Sequence, residues 1–137
     1  MTISKEQFTD RFFRALAANG DTLGTAAGDG SNALKPYMQT EIAETFYALT
    51  EHMLSVNEHM NLTAITDPDQ VAQLHMLDCA ALLQYMDFEG KTLIDVGTGA
   101  GFPGIPLKIL VPGLEVTLLD SLNKRVNWLN EVISELG

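Results

Sequence analysis

The chain has 137 residues, 46% of them hydrophobic and 19% charged, and a formal charge of −10. That composition suits a globular protein of one domain, or of one small domain plus part of another, and excludes bulk disorder. Only 8 residues are Lys or Arg, too few for a generic nucleic-acid-binding surface, so an RNA target requires a very local basic patch or one supplied from outside the chain.

No apolar run approaches the roughly 18 residues of a spanning helix. The first residues, "MTISKEQFTD", lack the basic-then-apolar layout of a secretory signal. A single cysteine, Cys79, excludes an internal disulfide and a cysteine-based zinc cage and reads as a small buried hydrophobe. A cytoplasmic protein without membrane contact is expected.

The opening segment "SKEQFTDRFFRALAANG" predicts a short helix. Ser4 caps it, Gln7 completes the capping box, and Asn19-Gly20 ends it. Phe8, Phe12, Ala15 and Leu16 mark its apolar face. A glycine-rich stretch over about 18–36 has no periodicity and reads as a flexible connector. "TEIAETFYALTEHMLSVNEHMN" is the most regular helix, because Ile42, Phe46, Leu49, Met53, Val56 and Met60 alternate steps of four and three. After "NLTAIT", Asp67 as cap, Pro68 at the first helical position and Gln70 as box partner predict another helix through Met86. Within it His75 reads as a packing or surface residue.

At Lys91 the period changes. "TLIDVG" and "EVTLLD" read as strands whose near-continuous apolarity suggests cover on both faces. Between them "GFPGIPLKILVPG" predicts a helix of two to three turns, and "SLNKRVNWLNEVISELG" predicts a last helix. Its inward face comprises Val126, Leu129, Val132 or Ile133, and Leu136. Trp128 reads as core or interface, and Lys124 and Arg125 as solvated charges. The fold class is therefore α/β: a helical N-terminal region, 1–90, followed by strand-helix-strand-helix over 91–137. That order opens a doubly wound parallel sheet.

The densest signal is "DVGTGAGFPGIP". Ligands of such sheets bind beyond the carboxyl ends of the strands, at the first strand-to-helix turn. Gly97 and Gly99 carry no Cβ, so the backbone can turn sharply there and approach a ligand. Pro103 belongs near the first helical turn, and Pro106 should kink the helix unless it falls in that turn as well. A dinucleotide site wants G-x-G-x-x-G, and here the sixth position is Phe102. The run is instead D-x-G-x-G-x-G, led by Asp95. A leading carboxylate favours a ligand bearing a positive sulfonium over a diphosphate. Asp120 ends the second strand, 23 residues after Gly97, where its oxygens can accept ribose hydroxyls. The spacing favours S-adenosyl-L-methionine over NAD.

With those residues in place, the chain resembles a known family. "NLTAITDP", "HMLDCAALL", "LIDVGTGAGFPGIPLKIL" and "VTLLDSLNKRVNWLNEV", in that order, resemble the RsmG/GidB family of bacterial 16S rRNA methyltransferases. The likeness runs from about Asn57 to Glu131. It implies a Rossmann-like methyltransferase domain and transfer of a methyl group from S-adenosyl-L-methionine to a guanine N7 of 16S rRNA in the small ribosomal subunit. It also implies that Gly97 and Phe102 line the cofactor pocket, with Gly99, Asp120 and Ser121 beside them; the catalytic residues stay unassigned and no metal is implied.

Departures from the family are Cys79, where Ser is usual, Phe102, where Leu is common, and the glycine-rich segment, which looks like an insertion. The family's catalytic domain continues beyond its second helix, whereas this chain stops at Gly137. It is therefore expected to carry the cofactor half-site, to have little or no activity alone, and to self-associate through an uncovered sheet. Two other readings stay open: a methyltransferase acting on a small molecule or protein, and a non-catalytic binding module.

Overall fold

A computed structural model describes residues 3–23, 34–67 and 70–137. Helix α1, Lys5–Leu23, starts on the capping box read from the sequence. The Gln7 amide donates to Ser4 Oγ at 3.2 Å, and the Ser4 amide donates to Gln7 Oε1 at 2.9 Å. The helix does not stop at Asn19-Gly20 but runs to Leu23. A glycine inside a helix costs only about 1 kcal/mol, which tertiary packing readily overrides. The remainder of the predicted connector, 24–33, lies outside the described residues, and Lys35–Tyr37 forms a 3₁₀ turn.

Helix α2, Thr40–Met60, ends at Asn61, whose left-handed backbone (φ 50°) closes the helix. Its stripe packs as its periodicity requires, with Phe46, Leu49 and Met53 buried. Phe46 meets Phe12 of α1 edge-to-face at 5.1 Å, and Phe8 meets Tyr47 in the same way at 5.6 Å. Phe8, Phe12 and Leu16, spaced by four, are fully buried against this stripe.

The predicted helix over 70–86 is less regular. Its first turns, Val71–Met76, are π-helical, followed by α3, Leu77–Ala81, and a 3₁₀ turn, Leu82–Gln84. The Val71 amide donates to the Asp67 carbonyl at 2.9 Å, and the Pro68 part of the predicted cap lies outside the described residues.

Strand β1, Thr92–Val96, pairs in parallel with β2, Glu115–Leu119, in the register Thr92↔Glu115 to Val96↔Leu119. Helix α4, Gly104–Leu110, crosses between them, and α5, Asn123–Leu136, follows β2. Pro106 falls in the first turn of α4, where its missing N–H has no helical partner to lose, so no kink is needed.

Among the described residues the sheet is covered on one face only, as expected of the uncovered sheet and unlike the two-sided cover suggested by the apolar runs. Leu93, Val116 and Leu118 pack on the core, while Ile94, Val96 and Leu119 remain 64%, 72% and 53% exposed. On α5, Trp128, Leu129 and Val132 turn inward, and Ile133 faces out.

Candidate functional site

The glycine turn leaves the carboxyl end of β1 and is fastened to the end of β2. The Gly97 and Thr98 amides both donate to the Leu119 carbonyl, at 2.8 and 3.1 Å. Gly97 and Gly99 adopt φ of +70° and +62°, a region costly for residues with a Cβ. A Cβ at either would meet nothing within 4 Å. These glycines are needed for the backbone path and leave a bare ledge above it.

Gly104 is needed for a different reason. A Cβ there would overlap Leu118 Cδ2 and stand 3.1 Å from Asp95 Oδ2. Its absence lets the first turn of α4 settle directly on the sheet.

Asp95 has a more internal task than the sequence suggested. Its Oδ2 accepts the Thr98 hydroxyl at 2.7 Å and the Gly104 amide at 2.9 Å. One oxygen thus ties the turn to the helix that follows. Thr98 is 4% exposed and Gly104 is buried, so both donors depend on this acceptor.

Asp120 stands opposite. Its Oδ2 accepts the Gly99 amide at 2.9 Å, and its Oδ1 accepts the Leu122 amide at 3.0 Å. The Arg125 guanidinium lies 3.7 Å from Oδ2, and the Asp120 side chain is 3% exposed. The Leu122 and Gly99 amides, aided by Arg125 and the Ser121 amide, hold its carboxyl below the ordinary carboxylate range. The structure therefore brings Gly97, Gly99, Asp120 and Ser121 together at the ends of the two strands.

Phe102 flanks this turn, half-buried, and its ring lies flat on the His75 imidazole, with centroids 4.7 Å apart and planes 15° from parallel. His75 Nε2 is 3.0 Å from Thr63 Oγ1, and the Thr63 hydroxyl accepts the Ile65 amide at 3.0 Å. Burial pushes the His75 pKa down against the opposing pull of Asp78. Packing was the expectation for His75, but its partner lies 27 positions away, a distance at which helical periodicity carries no signal.

Two further contacts had no sequence signature. Trp128 Nε1 donates to the Ala100 carbonyl at 3.0 Å, holding the glycine turn from beneath. The same indole stacks on His52 of α2 at 4.9 Å. Cys79 is buried, with its thiol pKa pushed up to about 12 by burial and by the nearby charges of Asp78 and Asp95.

A cavity of about 400 Å³ lies at the other end of the sheet, between Tyr37, Gln84, Asp87, Phe88 and Leu110, and contains none of the predicted site residues. Among the described residues there is no cluster of His, Cys, Asp or Glu fit to hold a metal, and no helix is long and apolar enough to cross a membrane.

At the ends of the two strands the structure thus sets a bare ledge at Gly97 and Gly99 beside a carboxylate hydrogen-bonded to it, an arrangement able to accept a ligand's hydroxyl groups close to the backbone. Comparison with known proteins shows the family. The chain is 54% identical over 99 residues to the ribosomal RNA small subunit methyltransferase G of Lachnoclostridium phytofermentans, covering 72% of this chain and 40% of that protein. It is 50% identical over 111 residues to the protein of that name from Alkaliphilus metalliredigens, covering 80% and 46%. For that of Carboxydothermus hydrogenoformans the identity is 51% over 97 residues, covering 71% and 40%. The chain thus spans less than half the length of these curated relatives. The family model described as GidB, rRNA small subunit methyltransferase G, matches residues 42–137, and the chain belongs to that family.

Proposed function

We propose that the protein methylates a guanine N7 of 16S rRNA, with S-adenosyl-L-methionine as methyl donor and the small ribosomal subunit as partner, in the cytoplasm. The observation that carries this reading is the positive-φ glycine turn tied to the strand-end carboxylate by the Gly99–Asp120 hydrogen bond, in a chain of this family. On this reading 91–137 is the first part of the catalytic domain and 1–90 a helical region packed before it.

Gly97, Gly99, Phe102, Asp120 and Ser121 would hold the cofactor, which supplies an electrophilic methyl group on a sulfonium. Guanine N7 already offers a lone pair, so the protein needs no strong general base. Its contribution is to position the reactants and to shape the electrostatics around them. The ledge gives a close approach without side chains, and the depressed pKa of Asp120 keeps an ionised acceptor beside it. Both Asp120 oxygens already hold backbone amides. Each retains a further lone pair, with which Asp120 would accept the ribose hydroxyls, sharing or exchanging the Gly99 donor.

Titration calorimetry with S-adenosyl-L-methionine and with NAD separates the cofactor classes. Binding of NAD in preference to the sulfonium compound would overturn the assignment. Transfer of a radiolabelled methyl group to small subunits lacking the modification tests the substrate. The 137-residue chain alone is expected to show little or no turnover, and a longer relative serves as positive control.

The apolar face formed by Ile94, Val96 and Leu119, with β1 and β2 pairing only with each other among the described residues, supports self-association of the isolated chain. A monomer in light scattering would count against it.

A further inference from the structure

We infer that His75 is a positioning residue for the cofactor site, acting through the ring of Phe102 and set in place by Thr63. This rests on the cofactor reading above and deepens it. Phe102 follows the last glycine of the turn and is only partly buried, so one face of its ring needs support if the ring is to stay clear of the ledge. His75 supplies that support as a near-parallel stack at 4.7 Å. An imidazole standing on a helix can turn about its own bonds. Here the 3.0 Å contact from Nε2 to Thr63 Oγ1 removes that freedom. Thr63 is fixed in turn: its amide donates to Asn57 Oδ1 at 2.9 Å, and its hydroxyl accepts the Ile65 amide.

A column of contacts therefore runs from the end of α2, through the 61–66 segment and the π-helical turn, to the rim of the glycine turn. The column joins the helical N-terminal elements to the site, which explains why two polar side chains, Thr63 and His75, sit half-buried at that junction.

The test is a mutant cycle read by calorimetry with S-adenosyl-L-methionine on the 137-residue chain, with folding checked by cooperative melting. Stacks of this kind contribute about three- to tenfold in an equilibrium constant. His75→Phe keeps a stacking face and should bind within about threefold of wild type. His75→Gln, of similar size and able to reach Thr63 but not to stack, should weaken binding about three- to tenfold. In a Phe102→Leu background, His75→Gln should cost nothing further, because the ring it positions is gone. A loss that is the same in both backgrounds, or no loss in either, overturns the inference and leaves the cofactor reading standing. A folded wild-type chain that takes up no S-adenosyl-L-methionine overturns the cofactor reading and this inference with it. Independently of any cofactor, the His75 ring protons should carry a ring-current shift in nuclear magnetic resonance spectra that disappears in Phe102→Leu. Its absence from wild type also overturns the inference.

Discussion

Replacing Asp95 probes the fastening of the glycine turn most directly. One oxygen, Oδ2, accepts from both Thr98 and Gly104. In Asp95→Ala both donors lose their acceptor at sites closed to water, since Thr98 is 4% exposed and Gly104 is buried. Hydrogen bonds to a charged group contribute about 1.5–3 kcal/mol each, and two that share an oxygen fall short of additive, so the expected loss is about 3–4 kcal/mol. With an unfolding entropy of about 2.1 cal/mol/K per residue over 137 residues, each kcal/mol moves Tm by about 3.5 °C. Asp95→Ala should therefore melt about 10–14 °C below wild type.

The neutral isostere discriminates further. Asp95→Asn can present its amide oxygen to both donors and should lose only about 1–2 kcal/mol. Thr98→Val removes one donor and should cost about 1 kcal/mol in wild type but almost nothing in Asp95→Ala. Circular dichroism melts of the four chains give the cycle. A shift of less than about 2 °C for Asp95→Ala, or strict additivity with Thr98→Val, would refute this account and return Asp95 to a ligand-facing role.

Four other outcomes follow from the structure. Gly99→Ala should cost about 1–2 kcal/mol through its φ of +62° alone. Gly104→Ala should cost about 1–3 kcal/mol through collision with Leu118. Restoring room with Leu118→Ala should therefore recover part of the packing loss in the Gly104 variant and none of the loss in the Gly99 variant, as read by urea melts. The Cys79 thiol, pushed up to about 12, should resist alkylation by iodoacetamide at pH 8 until denaturant is added; rapid labelling of the folded chain would contradict its burial. The His75 pKa is lowered in the folded state, so the unfolded chain binds that proton more readily, and stability falls as pH drops below about 6.5. Asp78 opposes the effect, and His75→Phe should flatten that part of the stability–pH curve; an unchanged slope would exclude His75 as its source.

What was legible in the sequence is what a few neighbouring residues decide. Ser4 and Gln7 cap each other across one turn, and the spacing of Phe46, Leu49 and Met53 is satisfied within one helix. Gly97 and Gly99 take a backbone conformation that few other residues tolerate. Departures occurred where distant packing decides. Gly20 did not end α1, because a glycine penalty near 1 kcal/mol is too small to stop a helix by itself. The apolar run "QVAQLHMLDC" fits one helical period, yet its first turns widen to a π-helix. Apolar content marked β1 and β2 as strands, but whether Ile94 and Val96 are covered depends on what lies against them, which no local pattern encodes.

The two carboxylates of the site show why its chemistry was harder to read than its fold. Asp95 and Asp120 both end up accepting backbone amides at the carboxyl ends of adjacent strands. A short acidic side chain at that place serves equally to accept a ligand's hydroxyl or to tie down a glycine turn, since both tasks ask for an ionised acceptor beside exposed N–H groups. Motif spacing selects for the residue type and cannot separate the tasks. The distinction lies in which donors are left. Asp95 faces a buried hydroxyl and a buried amide that have nothing else to bond, so its fastening is obligatory. Asp120 holds the amide of Gly99, a residue beside which an added Cβ would meet nothing within 4 Å, so this tie stands next to open space. On the proposed cofactor reading, Asp120 is therefore the carboxylate that would share or exchange a backbone partner for a ribose hydroxyl.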